Sequence, residues 1–285
     1  MIRFGPSGNS ESFYDQGNKS SVQAPAWLKN LGLNAYEYQC SKGVNVGRAT
    51  AEQLGEEALK NGIFLSIHAP YFISMASEEE QKRENSKRYI IETMEAARWM
   101  GAKRIVVHTG ACSKVSREWA LGTAKQVLAE TIKEADSSGY SDITICPEVL
   151  GKINQLGSLE EILDMCKIDD RLIPTIDFGH LHARDLGALN SIEDFERVLD
   201  KIENEIGQDR LKVIHVHFSR IEFTKGGEKK HWTLDDTQFG PDFEPLAELI
   251  YKRSMEPVII SESRGCMAED ALKLKKIYQK AAGEV

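Results

Sequence analysis

Asp177, His180 and His182 fall within six residues of one another, at the end of an apolar stretch that begins at Leu172. A buried strand that stops on a carboxylate and imidazoles delivers metal-ligating groups to the edge of a sheet. The pattern recurs: S-I-H ends at His68, V-V-H at His108 and P-E at Glu148, with H-V-H at His215 and His217 and S-E-S around Glu262. His231 stands in the charged stretch G-G-E-K-K-H-W. The chain has seven histidines, and the hydropathy pattern assigns all of them to strand ends or the loops that follow, none to a helix. Donors gathered in this way describe a polynuclear metal site. Mixed imidazole and carboxylate donors suit Zn²⁺ or Mn²⁺ better than Ca²⁺ or Mg²⁺.

The elements needed to bring these residues together are legible in outline. Short apolar strands are predicted at 2–5, 35–39, 64–68, 104–109, 143–149, from Leu172 to His182, at 213–218 and at 258–263. Helical patterns alternate with them, near 22–31, 50–60, 78–100, from Ser116, and at 159–166, 195–206, 243–253 and 268–282. Ser191-Ile-Glu-Asp reads as a capping box before the sixth of these. Residues 183–190 and 224–240 are expected to be loops. About eight strand–helix units in 285 residues predict an α/β fold, a single (β/α)₈ TIM barrel spanning residues 1–285. Near-continuous apolar strands fit parallel strands buried on both faces. In a barrel all C-terminal strand ends share one mouth, so the scattered polar tails converge there as one metal site. A doubly wound open sheet would instead spread them along an edge. No G-x-G-x-x-G follows the first strand, which leaves a dinucleotide site without support.

Composition sets outer bounds. A net charge of −8 and a pI near 5.5 give no global basic footprint for nucleic acid. Bound divalent cations can nevertheless reverse the sign of one face. Five cysteines without a C-x-x-C spacing predict free thiols in a reducing cytoplasm. No apolar run is long enough for a signal peptide or a membrane span, so a cytoplasmic monomer is the expectation.

Taken singly, His68 or His108 is as readily a hydrogen-bonded structural group; on adjacent strands the two can share a metal. Glu148, Asp177 and Glu262 are acids at the same strand level, and a buried acid needs a cation or a donor. His215 and His217 alternate on one strand, so only one faces the mouth. His217 is assigned there and His215 to the core. His180 is assigned as a ligand, and His182 as a solvated loop residue. Tyr71 and Phe72 offer a wedge or stacking surface for nucleic acid, and Lys229 and Lys230 offer phosphate contacts, with simple packing and a solvated surface as the alternatives.

In their order and number these motifs resemble the endonuclease IV family of apurinic/apyrimidinic-site nucleases, within the xylose-isomerase-like barrels. The likeness covers nearly the whole chain, through H-A-P-Y at His68, V-H-T-G at His108, P-E-V at Glu148 and I-D-F-G-H from Asp177 to His180. It continues through H-F at His217, K-H-W-T-L at His231 and S-E-S at Glu262. The resemblance implies two or three zinc ions, with Mn²⁺ as an alternative. His68, His108 and Glu148 would hold the first. Glu148, Asp177, His217 and Glu262 would hold the second, and His180 and His231 the third. The family's aspartate two residues before the last histidine is Lys229 here, with Glu228 one residue away as a substitute. Residues 40–48 also depart from the family's DNA-penetrating loop. The implied activity is hydrolysis of the phosphodiester 5′ to an abasic site in duplex DNA, with Glu148 positioning the attacking water. A sugar isomerase or epimerase on the same barrel needs only Glu148, Asp177, His217 and Glu262 around one ion. His108, His180 and His231 separate the two readings. A non-catalytic binding barrel would be expected to have lost such donors.

Overall fold

The computed structural model describes residues 1–112 and 115–284. Its strands in chain order are β1 (Arg3–Pro6), β2 (Ala35–Gln39), β3 (Phe64–His68), β4 (Arg104–Val107) and β5 (Thr144–Pro147). They continue with β6 (Thr175–Asp177), β7 (His215–Phe218), β8 (Arg220–Thr224), β9 (Gly227–Trp232) and β10 (Val258–Ser261). The helices are α1 (Glu11–Asp15), α2 (Ala24–Leu31), α3 (Arg48–Asn61), α4 (Glu80–Met100), α5 (Arg117–Ser137), α6 (Leu159–Cys166), α7 (Phe178–Arg184), α8 (Ile192–Ile206), α9 (Gln208–Lys212), α10 (Glu244–Lys252) and α11 (Met267–Ala281).

Two four-stranded parallel sheets, β1-β10-β7-β6 and β2-β3-β4-β5, carry the fold. Single parallel bridges, Ser7 to Glu37 and Glu148 to Thr175, join them along both edges. The result is the predicted eight-stranded parallel barrel, closed in the order β1-β2-β3-β4-β5-β6-β7-β10. Its strands are buried on both faces, as their apolar runs require: Ile67, Ile105, Ile145, Ile176, Val216 and Ile259 are all nearly or fully inaccessible.

Helices shield the outside through amphipathic stripes. On α4, Ile90, Met94, Ala97 and Met100 are buried, and on α5, Ala124, Val127 and Leu128. Each fully buried branched or aromatic side chain contributes on the order of 1.5–3 kcal/mol of transfer free energy. The Ser158–Glu161 capping box starts α6, and the same glutamate accepts from Arg117 of α5, tying neighbouring helices together. The expected Ser191–Asp194 box opens α8.

Two sequence expectations are overturned. Residues 224–240 are not simply a loop: β8 and β9 form an antiparallel hairpin turning through Lys225 and Gly226. Nor do His180 and His182 lie on a loop. The chain leaves β6 directly into α7, because the Asp177 side chain caps it by accepting from the His180 backbone N–H at 2.8 Å. His182 is therefore buried against the Phe223 ring rather than solvated, and its Nδ1 accepts from the Leu189 backbone N–H at 3.1 Å.

Candidate metal centre

Six barrel strands and the hairpin deliver side chains to one end of the barrel. His68 is the last residue of β3, and His108 and Glu148 directly follow β4 and β5. Asp177 ends β6, His217 lies in β7 and Glu262 follows β10. His180 comes from the first turn of α7, and Glu228 and His231 from β9.

The donor atoms fall into three groups, each spanning no more than 4.8 Å: His68, His108 and Glu148; Glu148, Asp177, His217 and Glu262; and His180, Glu228 and His231. Glu148 joins the first two. Its Oε2 lies 3.1 Å from His68 Nε2 and 3.0 Å from His108 Nε2, and its Oε1 lies 3.2 Å from His217 Nδ1. His180 Nε2 faces His231 Nε2 at 3.3 Å and Glu228 Oε2 at 3.5 Å.

The rings are aimed from behind. His68 Nδ1 is held by the Ala69 carbonyl at 2.8 Å, His108 Nδ1 by the Tyr71 carbonyl at 3.3 Å and His180 Nδ1 by the Val149 carbonyl at 3.0 Å. His231 Nδ1 contacts Ser219 Oγ at 2.8 Å. All four thus present Nε2 inward, the arrangement by which an outer hydrogen bond fixes a ligand ring and its tautomer. His217 is reversed, with Nδ1 inward.

Glu228 reaches its group by a local irregularity. Strict alternation along β9 would put Lys229, not Glu228, on the same side as His231. The pairing runs Glu222 to Lys230 and then Phe223 to Glu228, so Lys229 is the extra residue of a β-bulge. A bulge re-aims the side chains beyond it. Glu228 turns towards His180, while Lys229 turns out to pair with Glu222. Gly151 makes room for this: a Cβ there would stand 2.6 Å from Glu228 Cβ and 2.9 Å from His180 Cδ2.

The electrostatics are those of buried, mutually dependent charges. Burial pushes the Glu148 carboxyl up, but His108 and His217 overcome this and hold it well below the usual range. Burial favours neutral imidazoles; Glu148 nevertheless raises His68 to about 9, and Asp177 with Glu148 and Glu228 raises His180 well above its ordinary value. Asp177 is pushed up by burial and by Glu262. Its Oδ2 is buried without a hydrogen-bond donor; the His180 Nδ1 lies 3.1 Å away but is directed at the Val149 carbonyl. A fully buried carboxylate oxygen with no donor fits a cation.

All nine residues predicted as ligands are thus brought into these groups. Tyr71 and Phe72 are exposed on the loop after β3, with Phe72 edge-on to Tyr89. Lys230 lies over the Trp232 ring at 3.5 Å. His215 is fully buried, as expected. Sequence reasoning missed Glu37, which His215 and His217 both approach at 3.0 Å, and Ser219 behind His231. A glutamate between two tyrosines of an apolar strand was the available signal for Glu37.

Comparison with known proteins agrees with this architecture. A family model described as xylose isomerase-like TIM barrel matches residues 25–279. An uncharacterized protein of Methanocaldococcus jannaschii is 32% identical over 278 residues, covering 98% of this chain and 97% of that one. A probable endonuclease 4 of Oceanobacillus iheyensis is 30% identical over 233 residues, 77% of this chain and 74% of its own. Among solved structures, a D-tagatose 3-epimerase-like protein aligns with a TM-score of 0.75 at 21% identity, covering 99% of both chains. Endonuclease IV from Thermus thermophilus aligns with a TM-score of 0.71 at 20% identity, covering 99% of this chain and 100% of that one. With a family model spanning residues 25–279 and an eight-stranded parallel barrel to match, the chain belongs to the xylose isomerase-like TIM barrel family.

Proposed function

We propose that this protein is a divalent-metal-dependent phosphodiesterase of endonuclease IV type that acts in DNA repair, cutting duplex DNA 5′ to an abasic site. The observation that supports this most is the third donor group, His180, Glu228 and His231. A one-ion sugar isomerase has no use for it, nor for His108. The names of the Oceanobacillus and Thermus proteins agree with the same reading.

The donor set fits two or three zinc ions, or Mn²⁺, in mixed nitrogen and oxygen coordination. His68, His108 and Glu148 would hold one, Glu148, Asp177, His217 and Glu262 a second, and His180, Glu228 and His231 a third. When bound, such ions supply Lewis-acid stabilisation of phosphoryl charge and acidify water near neutral pH. Glu148 is the catalytic carboxylate of this reading: shared by two groups, it orients the attacking water between them. Tyr71, whose carbonyl holds His108, presents its ring with Phe72 to solvent as a stacking surface for a distorted duplex. On this reading Lys229 and Lys230 of the hairpin would exchange their contacts with Glu222 and the Trp232 ring for backbone phosphate.

A second reading, a metal-dependent sugar isomerase or epimerase, is favoured by the completeness of Glu148, Asp177, His217 and Glu262 as a set on its own. Incision of a labelled duplex with one abasic-site analogue separates the two. Zn²⁺- or Mn²⁺-dependent cutting 5′ to the lesion, abolished by chelation, is the expected result. No incision by fully metallated protein, together with ketose epimerisation in Mn²⁺ or Co²⁺, would establish the second reading.

A further inference from the structure

Strands β1 and β2 supply none of the donors in the three groups, although they close the barrel between β10 and β3. Their mouth-facing polar residues form a connected layer behind two of those donors. Glu37, in the middle of β2, is fully buried. Its Oε2 accepts from Ser66 Oγ at 2.9 Å and faces His215 Nε2 at 3.0 Å. Its Oε1 accepts from Gln39 Nε2 at 3.3 Å and lies 3.0 Å from His217 Nε2, a charge contact off the line of the N–H. Gln39 Nε2 also donates to Ser7 Oγ at 2.7 Å, and Ser7 Oγ donates to Glu262 Oε1 at 3.2 Å. One carboxylate is thereby linked to both His217 and Glu262, whose own donor atoms approach to 3.4 Å.

We propose that Glu37 is a positioning residue for the central metal group, holding the His217 ring with Nδ1 turned to Glu148 and Glu262 and steadying Glu262 through Gln39 and Ser7. This rests on the metal-dependent reading above. Behind His68, His108 and His231 stand neutral carbonyl or hydroxyl oxygens, and behind His180 the Val149 carbonyl with the Asp177 carboxylate 3.1 Å from the same nitrogen; behind His217 stands the Glu37 carboxylate at 3.0 Å. A carboxylate behind a ligating imidazole fixes its orientation and raises its basicity. A carboxylate buried in an apolar strand is otherwise costly, and here each of its oxygens is engaged. Glu37, His215 and His217 lie close enough to hold an ion themselves. Both imidazole Nε2 atoms already converge on the carboxylate, with Ser66 and Gln39 on its remaining faces, which favours a supporting role.

The test is stepwise Zn²⁺ and Co²⁺ affinity of the full chain by chelator competition, with the Co²⁺ absorption bands recorded. Glu37→Gln should weaken one metal equivalent by about 10–100-fold and shift its Co²⁺ bands, leaving the other equivalents as in the wild type. Glu37→Asp should restore part of the loss, and the milder Gln39→Leu should give a smaller loss in the same equivalent. Unchanged affinities would overturn the proposal. So would parallel weakening of every equivalent with a lower melting temperature of the metal-stripped protein, which marks a purely structural residue. An additional, fourth equivalent abolished by Glu37→Gln would make Glu37 a ligand and overturn it as well. Wild-type protein that binds no divalent ion would sink this inference and the metal reading together, whereas bound metal without DNA incision would sink only the nuclease reading.

Discussion

Glu228 and Lys229 are neighbours on β9 with opposite surroundings, one facing His180 and the other paired with Glu222 across the hairpin. Glu228→Gln is therefore expected to remove one of three metal equivalents, read by metal analysis after dialysis, and to lower incision with it. Lys229→Ala should keep every equivalent. Its loss should appear instead as weaker duplex binding, with the salt slope reduced by about one. His108 makes the sharpest separation between the two functional readings. His108→Ala should lower incision by at least the roughly 100-fold that outer-layer changes can cause at metal sites. A His108→Ala protein that retains both incision and its metal content would remove His108 from the first donor group.

At the level of elements, the β8–β9 hairpin is the device that brings the third donor group to the barrel. It is docked on the loop after β5: Glu228 N–H donates to the Gly151 carbonyl at 3.0 Å, and Ile153 N–H to the Gly226 carbonyl at 3.1 Å. Arg184 fastens that loop in turn, donating to the Leu150 carbonyl at 3.0 Å and the Lys152 carbonyl at 2.8 Å. Gly227, at φ +91°, leaves no room for a side chain, because a Cβ would stand 2.1 Å from the Gly151 oxygen. Gly227→Val should therefore undock the hairpin. The third metal equivalent would be lost while the other two stay, a pattern that metal titration resolves; loss of all three would mean that the hairpin supports the whole mouth. The hairpin was partly visible in the sequence, since Ile221 and Phe223 alternate before a Lys-Gly-Gly turn. The charges of β9 masked it, because a strand paired on one side and packed over a polar mouth has no apolar stripe. Helix α7 escaped notice for a different reason. Its seven residues are too few for helical periodicity to register, and its cap, Asp177, had already been assigned as a ligand.

For the molecule as a whole, the mouth gathers carboxylates and imidazoles whose charges respond together to metal and pH. In metal-stripped protein, against the effect of burial, Glu148 raises His68 to about 9, and Asp177 and Glu262 push His180 and His217 in the same direction, so protons compete with metal for these rings. A metal must displace those protons. Zn²⁺ affinity should therefore climb as pH rises from about 6.5 towards about 9, with proton release measurable by calorimetry in buffers of different ionisation enthalpy; pH-independent affinity would contradict the assignment. Stability of the stripped protein should move the opposite way. The contribution of a raised histidine pKa is fully present below the ordinary histidine value near 6.5 and is lost as pH passes the folded value near 9. Thermal melts in chelator at increasing pH would register that loss, and saturating Zn²⁺ should reverse it, by about 2.7 kcal/mol per site at a hundredfold excess over Kd. The sequence alone determined the barrel, because eight apolar runs alternating with amphipathic segments have few other ways to be buried. It also determined which candidate donors gather at one end of the barrel, because a histidine or acid at the end of a buried strand has to emerge at the shared mouth. Only the tertiary structure decided that Glu228, and not Lys229, faces His180 and His231, that His182 is packed away and that Glu37 stands behind His217. Each of these depends on a bulge, a cap or a contact between strands distant in the chain, and spacing along the sequence carries no record of such contacts.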